Sequence, residues 1–167
     1  MTREQYQKMT SATRRAVSRL PGGAAVLRLP TYACAGVYLL TLIVLLVQQD
    51  MRILRVIAVP ACCFFCATAL RALINRERPY DRFRIMPVGA FVRGKRKSLP
   101  SRHAASAAAI AFAAAYAFPS IPVAAAMTLL ALLVALLRVV GGQHYPSDVA
   151  AALLLSAALS ALGYLII

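Results

Sequence analysis

Residues 121–140 read IPVAAAMTLLALLVALLRVV, twenty residues with one charge, Arg138, near the end. A helix of that length, at about 1.5 Å per residue, covers the roughly 30 Å hydrocarbon core of a bilayer. It is apolar nearly all round, where a helix on a soluble core would show a stripe. Working outward, the Pro119–Pro122 hairpin leads back to an alanine-rich run, and Gly141-Gly142 leads on to another apolar one. The full set is Leu29–Val47, Ile53–Ile74, Ser101–Phe118, Ile121–Val140 and Val149–Ile167, in a chain that is 61% hydrophobic with mean hydropathy +0.71. The expectation is an all-α, polytopic membrane helix bundle of about five transmembrane helices. The run at 101–118 is the shortest, about 27 Å as a helix. Ten of its residues from 104 to 117 are alanine, which suits a helix buried among others, because small side chains let backbones approach closely.

The first 28 residues differ in kind. They are basic and polar and lack the apolar core of a cleaved signal peptide. Residues 1–28 therefore read as an N-terminal interfacial segment, and 29–167 as the transmembrane domain. Tyr6, Met9, Ala16, Val17 and Leu20 recur at helical spacing, opposite Lys8, Arg15 and Arg19. That pattern suits an amphipathic helix on an anionic membrane surface, with a disordered basic tail as the alternative. Pro21-Gly22-Gly23 ends the helix. The net charge of +14 flanks apolar spans without aromatic interleaving or a groove-reading pattern, so nucleic acid is not an expected partner. Cys34, Cys62, Cys63 and Cys66 lie inside spans, far in sequence from histidine or carboxylate, and read as small packing residues rather than a zinc site.

With alternating spans, the N-terminal segment, the Asn75–Pro100 connection and the Gly141–Ser147 turn share one membrane side. The only two histidines, His103 and His144, fall at that face, as does Asp148, the only acidic residue after Asp81. The connection carries Arg76, Arg78, Arg82, Arg84, Arg93, Lys95, Arg96 and Lys97. They suit both a basic loop under the positive-inside rule and a collector of anionic headgroups.

Three stretches at this face hold the chemistry. Arg71 and Arg78 share a helix face if the second span runs on to Arg78, where Pro79 is expected to end it. An arginine as deep as Arg71 costs about 2.5–3.5 kcal/mol unless snorkelling or a partner relieves it. Pro100-Ser101-Arg102-His103 opens the third span, with Ser101 as candidate N-cap and free N–H groups where an anion can dock. After Arg138 and the glycine pair comes His144, and Asp148 can reach back to one imidazole nitrogen. A carboxylate-oriented histidine beside arginines suits nucleophilic attack within a phosphate clamp. An interfacial capping network is the plainer alternative.

Arg71-x6-Arg78-Pro79, Pro100-Ser101-Arg102-His103 and Arg138-x5-His144-x3-Asp148 together resemble the signature of the type 2 phosphatidic acid phosphatase (PAP2) superfamily. The family pattern is Lys-x6-Arg-Pro, Pro-Ser-Gly-His and Ser-Arg-x5-His-x3-Asp, in the same order and at the same spacings. The resemblance implies an integral membrane lipid phosphatase. In it, His144 would form a phosphohistidine, Asp148 would orient its ring, and His103 would protonate the leaving alkoxide and then activate water. Arg71, Arg78, Arg102, Arg138 and the Ser101 backbone would hold the phosphoryl oxygens. Three positions depart from the pattern: Arg71 for lysine, Arg102 for glycine and Leu137 for serine. They bear on substrate preference rather than on reaction class. Family members typically have six spans and an extracytoplasmic site, whereas the apolar runs here read as five, with the first of the family's spans not among them.

The implied substrate is a lipid phosphate or diphosphate: phosphatidate, phosphatidylglycerophosphate or a polyprenyl phosphate. Arg102 tilts the expectation towards the more anionic diphosphate. No cofactor or metal is expected, since four guanidinium groups can replace the charge of a metal and no carboxylate cluster is available for magnesium. The arginines would lower the pKa of both histidines, whereas Asp148 would raise that of His144. Membrane lipids are the other expected partners, with self-association open. A non-catalytic protein that binds anionic lipid is the competing reading, though it has no use for the His144–Asp148 pair. The motif face collects 17 of the 19 Lys and Arg residues, which favours a cytoplasmic site against the family habit.

Overall fold

The computed structural model describes residues 1–89 and 96–166. Arg93 and Lys95 of the basic connection, and Ile167, lie outside them. The chain is helical: α1 (Arg3–Ser18), α2 (Leu29–Val47), α3 (Arg52–Ile74), the short α4 (Pro79–Phe83), α5 (Arg102–Ala117), α6 (Ile121–Val140) and α7 (Pro146–Ala161). A 3-10 segment, Gly23–Arg28, leads into α2, and a π-helical turn, Leu162–Ile166, follows α7.

α5 is the axis of the bundle and touches α2, α3, α6 and α7. Nine of its alanines are buried, so its neighbours close on its backbone rather than on long side chains. Ala107, Ala111 and Ala114 pack with Cys34 of α2 and Met127, Ala131 and Val134 of α6. Ala104 and Ala105 pack with Ala67 of α3, Ala135 of α6 and Val149 and Ala152 of α7. The buried Ser156 hydroxyl donates to the Ala105 carbonyl at 2.9 Å, a polar tie inside the apolar bundle. Cys34 is buried in the first of these clusters and Cys63 against Val59 and Ala109, as packing residues are, whereas Cys66 is half-buried and Cys62 is exposed, so the packing reading does not hold for Cys62. Large apolar side chains point outward instead, among them Leu39, Leu46, Phe65, Leu129 and Leu154. An apolar outside around a small-residue inside marks a bundle built for lipid.

Among the described residues, four helical stretches have the length and hydropathy to cross a membrane: Gly23–Val47, Arg52–Phe83, Ile121–Val140 and Pro146–Leu165. The protein is an integral membrane protein. The third expected span is shorter than expected: α5 has 16 residues, about 24 Å. Ringed by the other helices, it is not required to match the bilayer by itself. The far end of the bundle is closed by Arg52, which donates to the Ala117 carbonyl at 2.9 Å and is paired with Asp50, and by the Tyr116–Tyr164 stack at 4.6 Å.

One local expectation changes. α3 does not continue to Arg78: Asn75 adopts the left-handed region (φ 46°) and stops the helix. Pro79 then opens α4 rather than ending α3, and Arg78 before it is extended (φ −80°, ψ 153°). A residue preceding proline is pushed out of the α region, and proline at a first helical position loses no hydrogen bond. The N-terminal segment is a helix rather than a disordered tail. Its first turn is capped reciprocally, with Gln5 N–H on Thr2 Oγ1 at 3.3 Å and Thr2 N–H on Gln5 Oε1 at 2.9 Å.

Candidate active site

The spacing Arg138-x5-His144 has a backbone cause. α6 stops at Val140, and the chain reverses through Gly141 and Gly142, the latter at φ +76°. The N–H groups of Gln143 and His144 both return to the Arg138 carbonyl, at 3.1 Å each. The turn that carries His144 is thereby tied to the arginine's own backbone. Tyr145 is the N-cap residue of α7, and Pro146 follows at the first helical position. Asp148, three residues into the new helix, accepts the Tyr145 N–H on Oδ2 at 3.0 Å. His144-x3-Asp148 is thus one helical turn folded back on its cap.

Asp148 is fully buried, and its carboxylate is well supplied with donors. Arg76 donates to Oδ1 at 2.8 Å and Ser98 Oγ to Oδ2 at 2.5 Å. His144 Nδ1 stands 3.5 Å from Oδ2, near enough for attraction but beyond a hydrogen bond of normal geometry. Arg76 also reaches Ser147 Oγ at 2.8 Å and lies 4.3 Å over the Tyr145 ring. Ser98 N–H donates to the Arg76 carbonyl at 2.9 Å, which joins the two supports of Asp148. Neither residue is singled out by the motif spacing. Arg76 reads there as one more charge in a basic loop, and Ser98 has no distinguishing mark. The available signal is that a buried carboxylate needs a cation and several donors.

The remaining motif residues gather around this pair. Arg71 is buried, and Arg78, Arg102 and Asp148 act electrostatically on it. Arg138 donates to Gln143 Oε1 at 2.7 Å and to Thr31 Oγ1 of α2 at 3.0 Å, which bridges its own turn to α2. His103, in the first turn of α5, feels Arg138, His144, Arg102 and Arg71. The three stretches therefore meet at one bundle end, as alternating spans require. Arg102 sits differently: its guanidinium lies 5.7 Å from the Phe64 ring, on the lateral side of the site.

Ser101 corrects one expectation. It occupies the N-cap position of α5 but makes no side-chain cap bond. Its N–H donates to the Asp148 carbonyl at 3.0 Å and so is already engaged, not held out to a phosphate. Its hydroxyl, by contrast, is buried without a protein partner, as is Arg78 Nε. Buried polar atoms left in this way are the donors an anionic ligand would satisfy. Among the described residues no group of three or more His, Cys, Asp or Glu is placed to hold a metal ion.

His144 is 2% exposed, and this burial pushes its pKa below the ordinary imidazole value. The Asp148 carboxylate opposes the shift, and Arg78 and Arg71 add to it. Burial, which does not appear in the linear pattern, thus settles the direction in favour of a neutral imidazole.

A family model described as the PAP2 superfamily matches residues 51–167. Among solved structures, the chain is similar to the crystal structure of Aquifex aeolicus LpxE, with TM-score 0.74 and 21% identity, covering 96% of this chain and 92% of that one. It is also similar to the first transmembrane PAP2-type phosphatidylglycerolphosphate phosphatase from Bacillus subtilis, with TM-score 0.69 and 23% identity, covering 96% and 83%. No curated protein matches by sequence at a significant level. Because the family match spans all three motif stretches and most of the chain, the protein belongs to the PAP2 superfamily.

Proposed function

We propose that the protein is a metal-independent lipid phosphatase working through a phosphohistidine at His144. The observation that carries this reading is a buried imidazole, its pKa lowered by that burial, beside a buried carboxylate, with Arg71, Arg78 and Arg138 drawn to the same bundle end. With the Asp148 carboxylate 3.5 Å from Nδ1 and closing on it as charge develops, Nε2 attacks phosphorus and the bond from phosphorus to the lipid oxygen breaks. His103, whose proton desolvation and the surrounding arginines disfavour and the bound phosphate dianion favours, gives that proton to the oxygen. Neutral His103 then takes a proton from water as the water attacks, and the P–N bond breaks to release phosphate. Phosphoryl transfer asks mainly for alignment and charge stabilisation, which the guanidinium groups and Ser101 Oγ supply without a metal.

A lipid substrate is supported by the position of the site at a bundle end and by a lateral groove. A cavity of about 310 Å³, lined by Thr31, Cys34, Phe64, His103, Ala107 and Ile110 among others, runs from His103 along α5. A phosphate monoester or diphosphate at His144 would lay its hydrocarbon chain there. The Bacillus subtilis relative is a phosphatidylglycerolphosphate phosphatase, an activity of this class, and Arg102 in the groove lining favours a more anionic headgroup. Residues 1–28 form the interfacial segment and 29–167 the catalytic membrane domain.

For sidedness we favour the cytoplasm. By the alternation of spans along the sequence, 17 of the 19 Lys and Arg residues fall in segments assigned to the motif side, and setting aside the four proposed phosphate ligands still leaves 13 against two. A Glu77→Cys variant in a chain free of native cysteines should resist impermeant thiol reagents in intact cells; labelling would place the site outside. The function itself is tested by phosphate release from phosphatidate in detergent micelles. Release by the purified protein and none by His144→Ala is expected. Equal release by both would remove His144 from the chemistry.

A further inference from the structure

α1 is packed where a simple surface anchor has no reason to be. Tyr6 has no exposed surface, and its hydroxyl donates to the carbonyl of Gly142 at 3.0 Å, two residues before His144. The Ile85 carbonyl stands 3.4 Å from the same hydroxyl. The Tyr6 ring meets Phe83 at 5.3 Å, and Phe83 meets Tyr145, the residue after His144, at 6.4 Å. The approach is close enough to dictate the turn sequence. A Cβ on Gly142 would lie 2.6 Å from the Tyr6 hydroxyl oxygen and 2.7 Å from Thr10 Cγ2. Val88 N–H donates to the adjoining Gly141 carbonyl at 2.8 Å, so both glycine carbonyls are held from outside α6 and α7. Arg14, further along α1, donates to the Met86 carbonyl at 3.0 Å. Burial pushes the Tyr6 phenol pKa up, which keeps the hydroxyl a donor. All of α1 lies outside the residues that the family model matches.

We propose that Tyr6 is a positioning residue for His144, with α1 clamping the Gly141–Tyr145 turn so that the imidazole keeps one orientation. The proposal rests on the nucleophilic role given to His144. A helix that only rested on the membrane would turn Tyr6 towards lipid. Here the most buried side chain of α1 is spent on the backbone of the turn that carries the imidazole. The linkage also explains why the turn needs glycine at 142, where both the left-handed backbone and the space for Tyr6 exclude a side chain.

The test is Tyr6→Phe, which keeps the ring against Phe83 and removes only the hydrogen bond. The loss of one such bond should lower kcat about three- to tenfold with KM within about twofold. A second readout does not depend on turnover. Diethyl pyrocarbonate should modify exposed His103 readily and buried His144 slowly, as read by peptide mass spectrometry. In Tyr6→Phe the His144 rate should rise severalfold while the His103 rate stays unchanged and the thermal midpoint falls by only the few degrees that one lost hydrogen bond costs. Unchanged kcat and unchanged His144 reactivity would overturn the proposal. So would equal gains at both histidines with a larger fall in the thermal midpoint, which would mark a general loosening. If the wild-type protein releases no phosphate, the functional reading fails, and the labelling result still decides whether Tyr6 holds the turn.

Discussion

Ser98→Ala isolates how much of catalysis depends on holding Asp148. The Ser98 hydroxyl is fully buried and donates to Asp148 Oδ2 at 2.5 Å, the same oxygen that faces His144 Nδ1 at 3.5 Å. Hydrogen bonds to a charged group contribute about 1.5–3 kcal/mol, which as a barrier change corresponds to roughly 10- to 150-fold in rate. Asp148 would keep Arg76 on Oδ1 and the Tyr145 N–H on Oδ2, so the lower end applies. We expect kcat to fall about tenfold with KM little changed, because Ser98 donates to the carboxylate proposed to orient His144 rather than to the substrate. Arg76→Ala should cost more, since it removes the cation paired with a buried carboxylate. The assay is steady-state phosphate release from a short-chain lipid phosphate in micelles, with folding checked by thermal melting. A Ser98→Ala enzyme within about twofold of wild type in kcat would refute the idea that the fixed carboxylate matters to the rate.

Chelation and pH supply further checks. EDTA should leave turnover unchanged, since in the proposed mechanism arginines supply the charge facing the phosphoryl group; complete loss restored by magnesium would contradict this. Because burial lowers the folded pKa of His144, the unfolded chain binds more protons there, and stability rises with pH through the window below about 6.5. The thermal midpoint of the wild type should therefore fall more steeply on acidification than that of His144→Gln, and parallel curves would count against a buried neutral imidazole. Gly163→Ala would set a Cβ 2.4 Å from Val59 Cγ2 at the far end of the bundle. Overpacking of that kind costs about 1–3 kcal/mol, and Val59→Ala in the same chain should restore much of the lost melting temperature.

Much of this site is readable from the linear pattern because its spacings have backbone causes. Arg138-x5-His144 is the length of a turn whose N–H groups return to the Arg138 carbonyl, and His144-x3-Asp148 is one turn of α7. The apolar runs and the alanine-rich α5 are legible for a similar reason, since hydropathy and side-chain size report directly on lipid and on close packing. What escapes the pattern is set by contacts at long range. Arg76 and Ser98 reach Asp148 across 72 and 50 residues, and Tyr6 reaches Gly142 across 136. No local period records such pairs. The end of α3 is misplaced when Pro79 is weighed as a helix breaker, since the left-handed Asn75 has already ended the helix and proline is free to start the next. The engaged Ser101 N–H is equally hidden, since its partner is the backbone of Asp148 in another helix.

The most direct measurement of the proposed chemistry is to trap the covalent species. Purified protein mixed with a lipid phosphate carrying radiolabelled phosphorus would be quenched in alkali within milliseconds, digested and sequenced by mass spectrometry. A base-stable, acid-labile label on the peptide containing His144, absent from His144→Ala and longer-lived in a His103→Gln variant, is the expected result. Full turnover with no label on His144, or with the label on another residue, would contradict a nucleophilic His144.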